Sequence, residues 1–379
     1  MAQPTTPPIP RLPDFGGSCI ASVVPALLGG SAGRTATRAV ERPWLPELAR
    51  SAEQVVLLVL DGLGWLQLES RRHLVPALAS MQGGPVTSVV PTTTATALTS
   101  ITTGLTPAEH GVVGYRVKVA PGTVMNVLRW RTAAGDVRRE IHAGQFQPTP
   151  AFLGTRPPVV TRSEFAKTGF TAAHLGDSPL RGWRLPSALA VEVDLCLREG
   201  ERFIYAYYDG IDKVAHERGF GAHFDAELVA TDRLVADVMA VLPPGAVLLV
   251  TADHGQVQVD AAAIPLPADL MADVELLSGE GRFRWLHVRP GALDRVAATA
   301  RDLYGDVAWV RTRDELIVEG WLGGVPSPEV AERLGDVALV PFAAVAFDDP
   351  ADTGETRLVC RHGSLTAEEI LVPLIAAAG

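Results

Sequence analysis

The sequence predicts an α/β fold, in which a mostly parallel sheet is sandwiched between helices and is accompanied by a smaller α+β insertion. Three continuous apolar runs, at 55–60, 203–208 and 246–251, each lead into acidic or histidine residues followed by glycine. Such runs, bounded by turn residues, are typical of strands that are buried on both faces of a parallel sheet. Helical patterns lie between the runs, and this alternation of strand and helix is characteristic of α/β proteins.

The elements follow in chain order from these local patterns. The first 50 residues are rich in proline and predict an irregular arm with one short helix over 20–28. The next segments predict strands over 55–60, 85–90, 203–208 and 246–251, and helices over 94–103, 191–198 and 224–241. The pattern changes near residue 260, and from there it predicts strands over 282–288, 307–310 and 315–318 and a helix over 292–304.

These elements divide the chain into three parts. Residues 1–50 are the arm, residues 51–259 and 346–379 together form the main α/β domain, and residues 260–345 form an inserted α+β cap subdomain. We expect the cap to stand beside the ligand crevice as a wall or lid. The alternative is that it merely extends the main sheet.

The composition argues against several classes of protein. Of the 379 residues, 47% are hydrophobic and 20% are charged, which is typical of a globular protein with a large core. The net charge of −10 argues against a nucleic-acid polymer as partner, because such a partner needs a positive surface. No apolar run approaches the ~18 residues of a membrane span. The three cysteines, Cys19, Cys196 and Cys360, are too widely spaced for a disulfide framework or a CxxC metal site. Together these features predict a cytoplasmic protein.

Acidic and histidine side chains follow the three central strands, and ligands bind at this edge of open α/β sheets. Asp212 and His216 are four residues apart, so a helix places both on one face, where they can share a divalent ion. Asp253 and His254 follow the third strand, at a turn that Gly255 permits. The candidate ligands are therefore Asp61, Asp212, His216, Asp253, His254 and His362.

Six ligands are too many for one tetrahedral zinc ion. Two ions, each with about three protein ligands and open positions, fit catalytic zinc chemistry. The sequence therefore predicts two divalent metal ions, with zinc as the expected metal.

An uncharged, hydroxyl-rich segment occupies residues 91–104. One interpretation is a capped, threonine-rich helix without a chemical role. The other places one threonine at the positive N-terminus of that helix, where its hydroxyl can act as a nucleophile and backbone N–H groups can meet a phosphate.

These motifs resemble those of the type I phosphodiesterase/nucleotide pyrophosphatase family of the alkaline phosphatase superfamily. The resemblance covers about residues 54–116, 203–256 and 360–373. It rests on five motifs: Asp61-Gly62, the segment from Pro91 to Gly104, the Asp212/His216 pair, Asp253-His254-Gly255 and His362-Gly363.

The resemblance implies an alkaline phosphatase-like catalytic domain with assigned residues. By its spacing to Gly104, Thr94 corresponds to the nucleophile of the family, and the neighbouring threonines do not. One zinc ion is then held by Asp61, Asp253, His254 and the Thr94 oxygen, and the other by Asp212, His216 and His362. Asp209 is the nearest alternative to Asp212, but its spacing to His216 does not match.

The sequence departs from the family pattern at two positions. The family often has an asparagine three residues after the nucleophile, where it holds a phosphoryl oxygen, and this chain has Ala97. Stabilisation of the transition state must then come from the metals, from backbone N–H groups or from Thr96. The glycine that usually precedes the paired histidine is Ala215, a small change.

The resemblance implies a metal-dependent phosphoric ester hydrolase that cleaves phosphodiesters or nucleotide pyrophosphates through a phosphothreonine intermediate. The expected partner is a small phosphate-ester substrate. Residues 87–107 contain no lysine or arginine, which favours diesters over monoesters unless a cation such as Arg282, Arg284 or Arg361 arrives from elsewhere. The alternatives are a phosphomonoesterase, a phosphonate hydrolase or a phosphomutase on the same two-metal frame, or a catalytically dead binding relative.

Overall fold

The computed structural model describes residues 7–29, 42–259, 263–352 and 358–379. Parts of each predicted region lie outside the described residues, namely 1–6 and 30–41 of the arm, 260–262 of the cap and 353–357 of the main domain.

The strands of the described residues are β1 (Gln54–Leu60), β2 (Gln82–Thr87), β3 (Arg116–Ala120), β4 (Thr123–Asn126), β5 (Arg131–Thr132), β6 (Gly135–Asp136), β7 (Val159–Arg162), β8 (Leu180–Trp183), β9 (Phe203–Tyr208), β10 (Ala246–Thr251), β11 (Val257–Gln258), β12 (Val274–Glu280), β13 (Phe283–Val288), β14 (Ala308–Thr312), β15 (Val337–Pro341), β16 (Cys360–Arg361) and β17 (Leu371–Ala378). The helices are α1 (Val23–Leu27), α2 (Glu47–Arg50), α3 (Trp65–Ser70), α4 (Pro76–Ser80), α5 (Thr94–Thr103), α6 (Pro107–His110), α7 (Ala143–Phe146), α8 (Gly169–Leu175), α9 (Ser187–Arg198), α10 (Gly210–Arg218), α11 (Ala222–Ala240), α12 (Ala268–Met271), α13 (Leu293–Tyr304), α14 (Arg313–Val318), α15 (Pro328–Ala331) and α16 (Ala367–Ile370). Short 3-10 helices cover Ile20–Ser22, Arg72–Leu74, Ala151–Gly154 and Ser163–Lys167.

A seven-stranded sheet in the order β2-β17-β10-β1-β9-β7-β8 forms the centre of the fold. The strands from β10 to β8 run parallel, and β17 pairs antiparallel with both β10 and β2. Every residue of β9 and β10 is buried, as expected where helices cover both faces of a sheet. The predicted α/β fold with a mostly parallel sheet is confirmed.

The order of the central strands brings the predicted ligand positions to one edge. β1 pairs with β10 on one side and with β9 on the other. The residues that follow these three parallel strands therefore emerge side by side, at the carboxyl edge of the sheet.

A second, four-stranded antiparallel sheet lies between residues 274 and 341, in the order β12-β13-β15-β14. Apolar side chains of this sheet and of α13, such as Leu286, Val296 and Leu339, form a core separate from that of the main sheet. The predicted strand over 315–318 is wrong, because this segment belongs to α14. The reason is a capping box: the Thr312 hydroxyl accepts from the Glu315 N–H (3.2 Å), and the Glu315 carboxylate accepts from the Thr312 N–H (2.8 Å).

Several further elements differ from the predictions. The arm contains a second helix, α2, besides the 3-10 helix Ile20–Ser22 that continues into α1. The strand predicted over 85–90 is β2, which lies three residues earlier. The sheet β3-β4-β5-β6 was not predicted, because its strands are short and partly exposed and carry no apolar run. None of the helices in the described residues is long and apolar enough to cross a membrane.

Candidate active site

Asp61 is the first residue after β1, and its backbone N–H bonds to the Tyr208 carbonyl of β9 (2.9 Å). The Tyr207 hydroxyl donates a hydrogen bond to one Asp61 carboxylate oxygen, Oδ2. The other oxygen, Oδ1, is buried and has no hydrogen-bond partner among the described residues. Burial, together with the charge of Asp253, raises the pKa of Asp61 well above its usual range. A cation would remove this penalty on the charged form.

Asp253 and His254 follow β10, and Asp253 is fully buried. Its Oδ1 accepts from the N–H groups of Gly62 (3.1 Å) and His254 (3.0 Å). Its Oδ2 is buried without a hydrogen-bond partner in the described part of the chain and lies 3.4 Å from His254 Nε2. Burial also raises the pKa of Asp253. Two buried carboxylates thus each present a free oxygen toward one imidazole nitrogen, since Asp61 Oδ1 lies 3.5 Å from the same Nε2.

Asp212 and His216 lie one turn apart on α10, and His216 Nε2 is 3.2 Å from Asp212 Oδ1. The same carboxylate oxygen accepts from the Gln256 side-chain amide at 3.0 Å. Asp209, the alternative to Asp212, is the residue before α10 and is engaged elsewhere. It pairs with Arg162 (2.6 Å) and Lys213 (2.5 Å).

His362 reaches the site because β16 pairs with β11, which directly follows the Asp253-His254 turn. Its position is fixed by Thr92, which precedes α5. The Thr92 carbonyl accepts from His362 Nδ1 (2.8 Å), and the Thr92 hydroxyl accepts from the Gly363 N–H (3.0 Å). His362 Nε2 lies 3.9 Å from Asp212 Oδ1. Burial, and then the neighbouring His254 and His216, hold the pKa of His362 well below its usual range, so the ring is neutral.

The three histidines share one arrangement. In each ring Nδ1 faces a backbone carbonyl, that of Cys360 for His216 (2.7 Å), Gly255 for His254 (3.1 Å) and Thr92 for His362 (2.8 Å). A carbonyl only accepts, so Nδ1 carries the proton and Nε2 presents its lone pair to the carboxylates. This is the usual orientation of metal-ligating histidines in proteins.

Thr94 is the first residue of α5, and Thr93 before it is extended (φ −128°). The Thr94 hydroxyl lies 3.2 Å from His254 Nε2. The first intrahelical hydrogen bond runs from the Ala97 N–H to the Thr93 carbonyl (2.9 Å), so the N–H groups of Thr94, Ala95 and Thr96 precede it. A hydroxyl and a helix N-terminus therefore face the same cluster of carboxylates and imidazoles.

The donor set fits divalent ions. In each of two groups of three residues, the ligand atoms all lie within 4.8 Å of one another. Asp212, His216 and His362 form one group, and Asp61, Asp212 and His254 form the other. Asp212 belongs to both groups and lies between them. Within the described ranges, neither Asp61 nor Asp253 pairs with a lysine or arginine, although each has an unsatisfied buried oxygen. Carboxylate oxygens and imidazole nitrogens are ligands that zinc accepts.

A cavity of about 250 Å³ opens beside Thr94. The polar residues that line it include the site residues Asp61 and Asp212, together with Lys213. Its remaining wall is mostly apolar or aromatic, with Leu98, Leu128, Phe165, Phe170, Leu175, Tyr205 and Tyr207. Lys213 is the one lysine or arginine among the described lining residues.

The sequence patterns do not reveal the residues that support the ligands. Tyr207, Gln256 and Thr92 act through contacts between distant segments, so no local spacing reveals them. Of the arginines considered as substrate contacts, Arg282 is fully buried and forms a bidentate pair with Glu369 (2.7 and 2.8 Å). Its guanidinium group is therefore occupied by a structural ion pair instead of a substrate contact.

Comparison with known proteins places the chain in a family. The family model of type I phosphodiesterase / nucleotide pyrophosphatase matches residues 55–179 and 154–365. A search of curated protein sequences finds no significant match.

Solved structures share the fold. Murine ectonucleotide pyrophosphatase / phosphodiesterase 5, in an inactive form in complex with AMP, is 14% identical with a TM-score of 0.63, over 86% of this chain and 88% of that chain. Phosphonoacetate hydrolase from Sinorhizobium meliloti 1021, in complex with phosphonoformate, is 19% identical with a TM-score of 0.61, over 86% and 90%. Because the family model covers most of the sequence, the chain belongs to the type I phosphodiesterase / nucleotide pyrophosphatase family and is a hydrolase of that type.

Proposed function

We propose that the protein hydrolyses phosphodiesters or nucleotide pyrophosphates in a metal-dependent reaction, through a phosphothreonine intermediate on Thr94. The observation that carries this proposal is the position of the Thr94 hydroxyl. It lies at the N-terminus of α5 and 3.2 Å from His254 Nε2, within the cluster of six potential metal ligands.

The proposed cofactors are two divalent ions, with zinc as the expected metal. Asp61, Asp253, His254 and the Thr94 oxygen would hold one, and Asp212, His216 and His362 would hold the other. When bound, such ions supply positive charge that ionises hydroxyl groups and stabilises a transferring phosphoryl group.

The chain's own groups perform the transfer in two steps. The Thr94 oxygen, after losing its proton, bonds to phosphorus while the bond to the leaving oxygen breaks, and the leaving oxygen takes a proton. Water then attacks phosphorus, the Thr94–phosphorus bond breaks, and the Thr94 hydroxyl is restored. The N–H groups at the start of α5 are suited to bind the anionic phosphoryl oxygens, because they lack intrahelical partners.

The charges around the cavity favour a monoanionic diester over a dianionic monoester. Lys213 is already paired with Asp209 at 2.5 Å, and Arg282 is paired with Glu369. A site for a dianion usually adds an unpaired cation such as arginine.

The division into an arm (1–50), a catalytic domain (51–259 and 346–379) and a cap (260–345) remains part of the proposal. It is supported by the separate core of the second sheet. It is also supported by the turn between β12 and β13, where Glu280 lies against Gly363, the neighbour of His362. The cap would then stand at one side of the site.

The proposed location is the cytoplasm. Cys19 and Cys196 are buried and form no disulfide among the described residues, as in most proteins of a reducing compartment.

A panel of substrates tests the proposed function. Zinc-loaded protein is assayed with bis-p-nitrophenyl phosphate, p-nitrophenyl thymidine 5′-phosphate, p-nitrophenyl phosphate and phosphonoacetate, beside the Thr94→Ala variant. We expect turnover of the two diesters, and an acid-quenched sample should carry the retained part of the substrate, a p-nitrophenyl phosphoryl or a thymidylyl group, on the peptide that contains Thr94. Turnover of phosphonoacetate alone would assign the chain to phosphonate hydrolysis instead.

A further inference from the structure

One tyrosine in the wall of the Thr94 cavity has an unsatisfied hydroxyl. Tyr205 lies in β9, lines the cavity and is 1% exposed. Its hydroxyl oxygen is buried and has no hydrogen-bond partner among the residues that the structure describes. Burying a polar group without a partner destabilises a fold, so such a group calls for an explanation.

The two other tyrosines of the same strand both have hydrogen-bond partners for their hydroxyl groups. Tyr207, on the same face as Tyr205, donates to Asp61. Tyr208, on the opposite face, donates to Glu227 Oε1 at 2.6 Å. Both hydroxyls are paired, whereas the buried hydroxyl of Tyr205, a residue of the cavity wall, has no partner among the described residues.

The Tyr205 hydroxyl is held as a hydrogen-bond donor. Its ring packs against Phe152, with ring centroids 5.5 Å apart. Burial, and then the charges of Asp253 and Asp61, raise the pKa of Tyr205 well above its usual range. The hydroxyl therefore keeps its proton and can donate it in a hydrogen bond.

One turn after Thr94, the helix that carries this nucleophile offers no polar side chain that could contact the phosphoryl group. Position 97, one turn after Thr94, is a buried alanine. Thr96 also has a buried hydroxyl without a described partner, but it is not among the described residues that line the cavity. Tyr205 lines the cavity together with Thr94 and Leu98.

We propose that the Tyr205 hydroxyl is a substrate-binding group, which donates a hydrogen bond to a non-bridging oxygen of the phosphoryl group during its transfer to Thr94. This inference rests on the proposed function. A neutral donor in a dry site stabilises charge that develops on that oxygen without adding a cation. Such a donor suits a diester monoanion better than a monoester dianion.

The test is Tyr205→Phe, which removes one oxygen atom, with Tyr208→Phe as the matched control from the same strand. Each zinc-loaded protein is compared with wild type for kcat and KM on bis-p-nitrophenyl phosphate, for inhibition by orthovanadate, for metal content and for Tm. Orthovanadate mimics the transferring phosphoryl group and has no ester substituent.

For Tyr205→Phe we expect kcat to fall about tenfold or more and the inhibition constant of orthovanadate to rise by a similar factor. Metal content should stay unchanged, and Tm should be equal or higher, because an unsatisfied buried group has been removed. Tyr208→Phe should leave both kinetic readouts unchanged. A lower Tm with unchanged orthovanadate inhibition would assign Tyr205 a purely structural role and overturn the inference.

Three other outcomes are also decisive. If only KM for the bulky diester rises while orthovanadate inhibition is unchanged, the hydroxyl contacts the ester substituent, and the assignment to a phosphoryl oxygen is wrong. If wild-type protein neither turns over any phosphoric ester nor binds orthovanadate, the proposed function fails and this inference fails with it. If wild type is active and Tyr205→Phe matches it, only the inference about Tyr205 fails.

Discussion

The imidazole rings of His254 and His362 lie flat against each other, with ring centroids 3.6 Å apart and planes within 16° of parallel. Each ring is anchored through Nδ1 to a different backbone carbonyl, Gly255 for His254 and Thr92 for His362. Because the two histidines are proposed to bind different ions, this contact joins the two halves of the site. A displacement of one ring is transmitted to the other, so we expect the two metals to be lost together.

Metal removal should abolish activity. Asp61 Oδ1 and Asp253 Oδ2 lack partners in the described residues, and zinc would satisfy both. We expect about two zinc ions per chain, loss of turnover with a chelator and recovery with zinc, measured by elemental analysis and assay. Full activity of protein verified to be metal-free would contradict this prediction.

Thr94→Ala should lower kcat by about a thousandfold or more, as expected for loss of a nucleophile. The other ligands remain, so metal content and Tm should change little. Two in-line displacements each invert phosphorus, so wild type should hydrolyse a chiral phosphorothioate diester with net retention. Net inversion would mean that water attacks directly and that Thr94 has another role.

Wild type should prefer diesters to monoesters. The pairing of Lys213 with Asp209 leaves no unpaired lysine or arginine among the described residues that line the cavity. The test is the ratio of kcat/KM for bis-p-nitrophenyl phosphate and p-nitrophenyl phosphate. A monoester preference of tenfold, about 1.4 kcal/mol in the barrier, would show that a cation from elsewhere reaches the substrate.

Gly62 and Gln256 should be energetically coupled through Asp212. Gly62 has a φ of +75°, and a Cβ there would overlap the Gln256 amide nitrogen and lie 3.0 Å from the Asp212 Cα. Gly62→Ala should therefore weaken zinc binding by displacing Gln256 from Asp212. Adding Gln256→Ala creates room, so the effects on zinc affinity in the double variant should be less than additive. Strict additivity would show that the overlap relaxes without moving Asp212.

A buried histidine outside the ligand set should make stability depend on pH. Burial lowers the pKa of His174 to about 4, from an ordinary value of 6.5. The folded ring stays neutral, while the unfolded ring binds a proton below pH 6.5. The free energy of unfolding therefore keeps its full value above that pH and decreases as the pH falls toward about 4.

At pH 5 this effect lowers the free energy of unfolding by on the order of 2 kcal/mol. We expect the free energy of unfolding of wild type to fall more between pH 7.5 and 5 than that of His174→Gln, measured in urea. Parallel curves for the two proteins would show that His174 does not contribute to this pH dependence.

The parts of the fold that the sequence predicts are those with strong local patterns. β9 and β10 coincide with their apolar runs, and α5 coincides with its predicted helix. The pairing of Asp212 with His216 follows from helical spacing. The segment 315–318 shows the limit: its apolar residues favoured a strand, but the capping box between Thr312 and Glu315 starts a helix there.

The remainder of the site depends on contacts that no local pattern contains. His362 is placed by the pairing of β16 with β11, about one hundred residues earlier in the chain. The role of Tyr207 depends on which strand lies beside β1. The sequence motifs identify which side chains belong to the cluster, whereas tertiary packing decides what supports them.

β17 lies between β10 and β2, so the sheet is continuous only when this strand is present. Until residues 371–378 emerge during synthesis, β10 has an open edge of unpaired backbone groups and β2 has no strand to join. A chain interrupted before residue 371 would keep Thr94 and all six proposed ligands, yet it would expose an apolar strand edge that promotes aggregation. Truncated products of this protein should therefore be recovered in inclusion bodies or cleared by proteases, rather than persist as inactive enzyme.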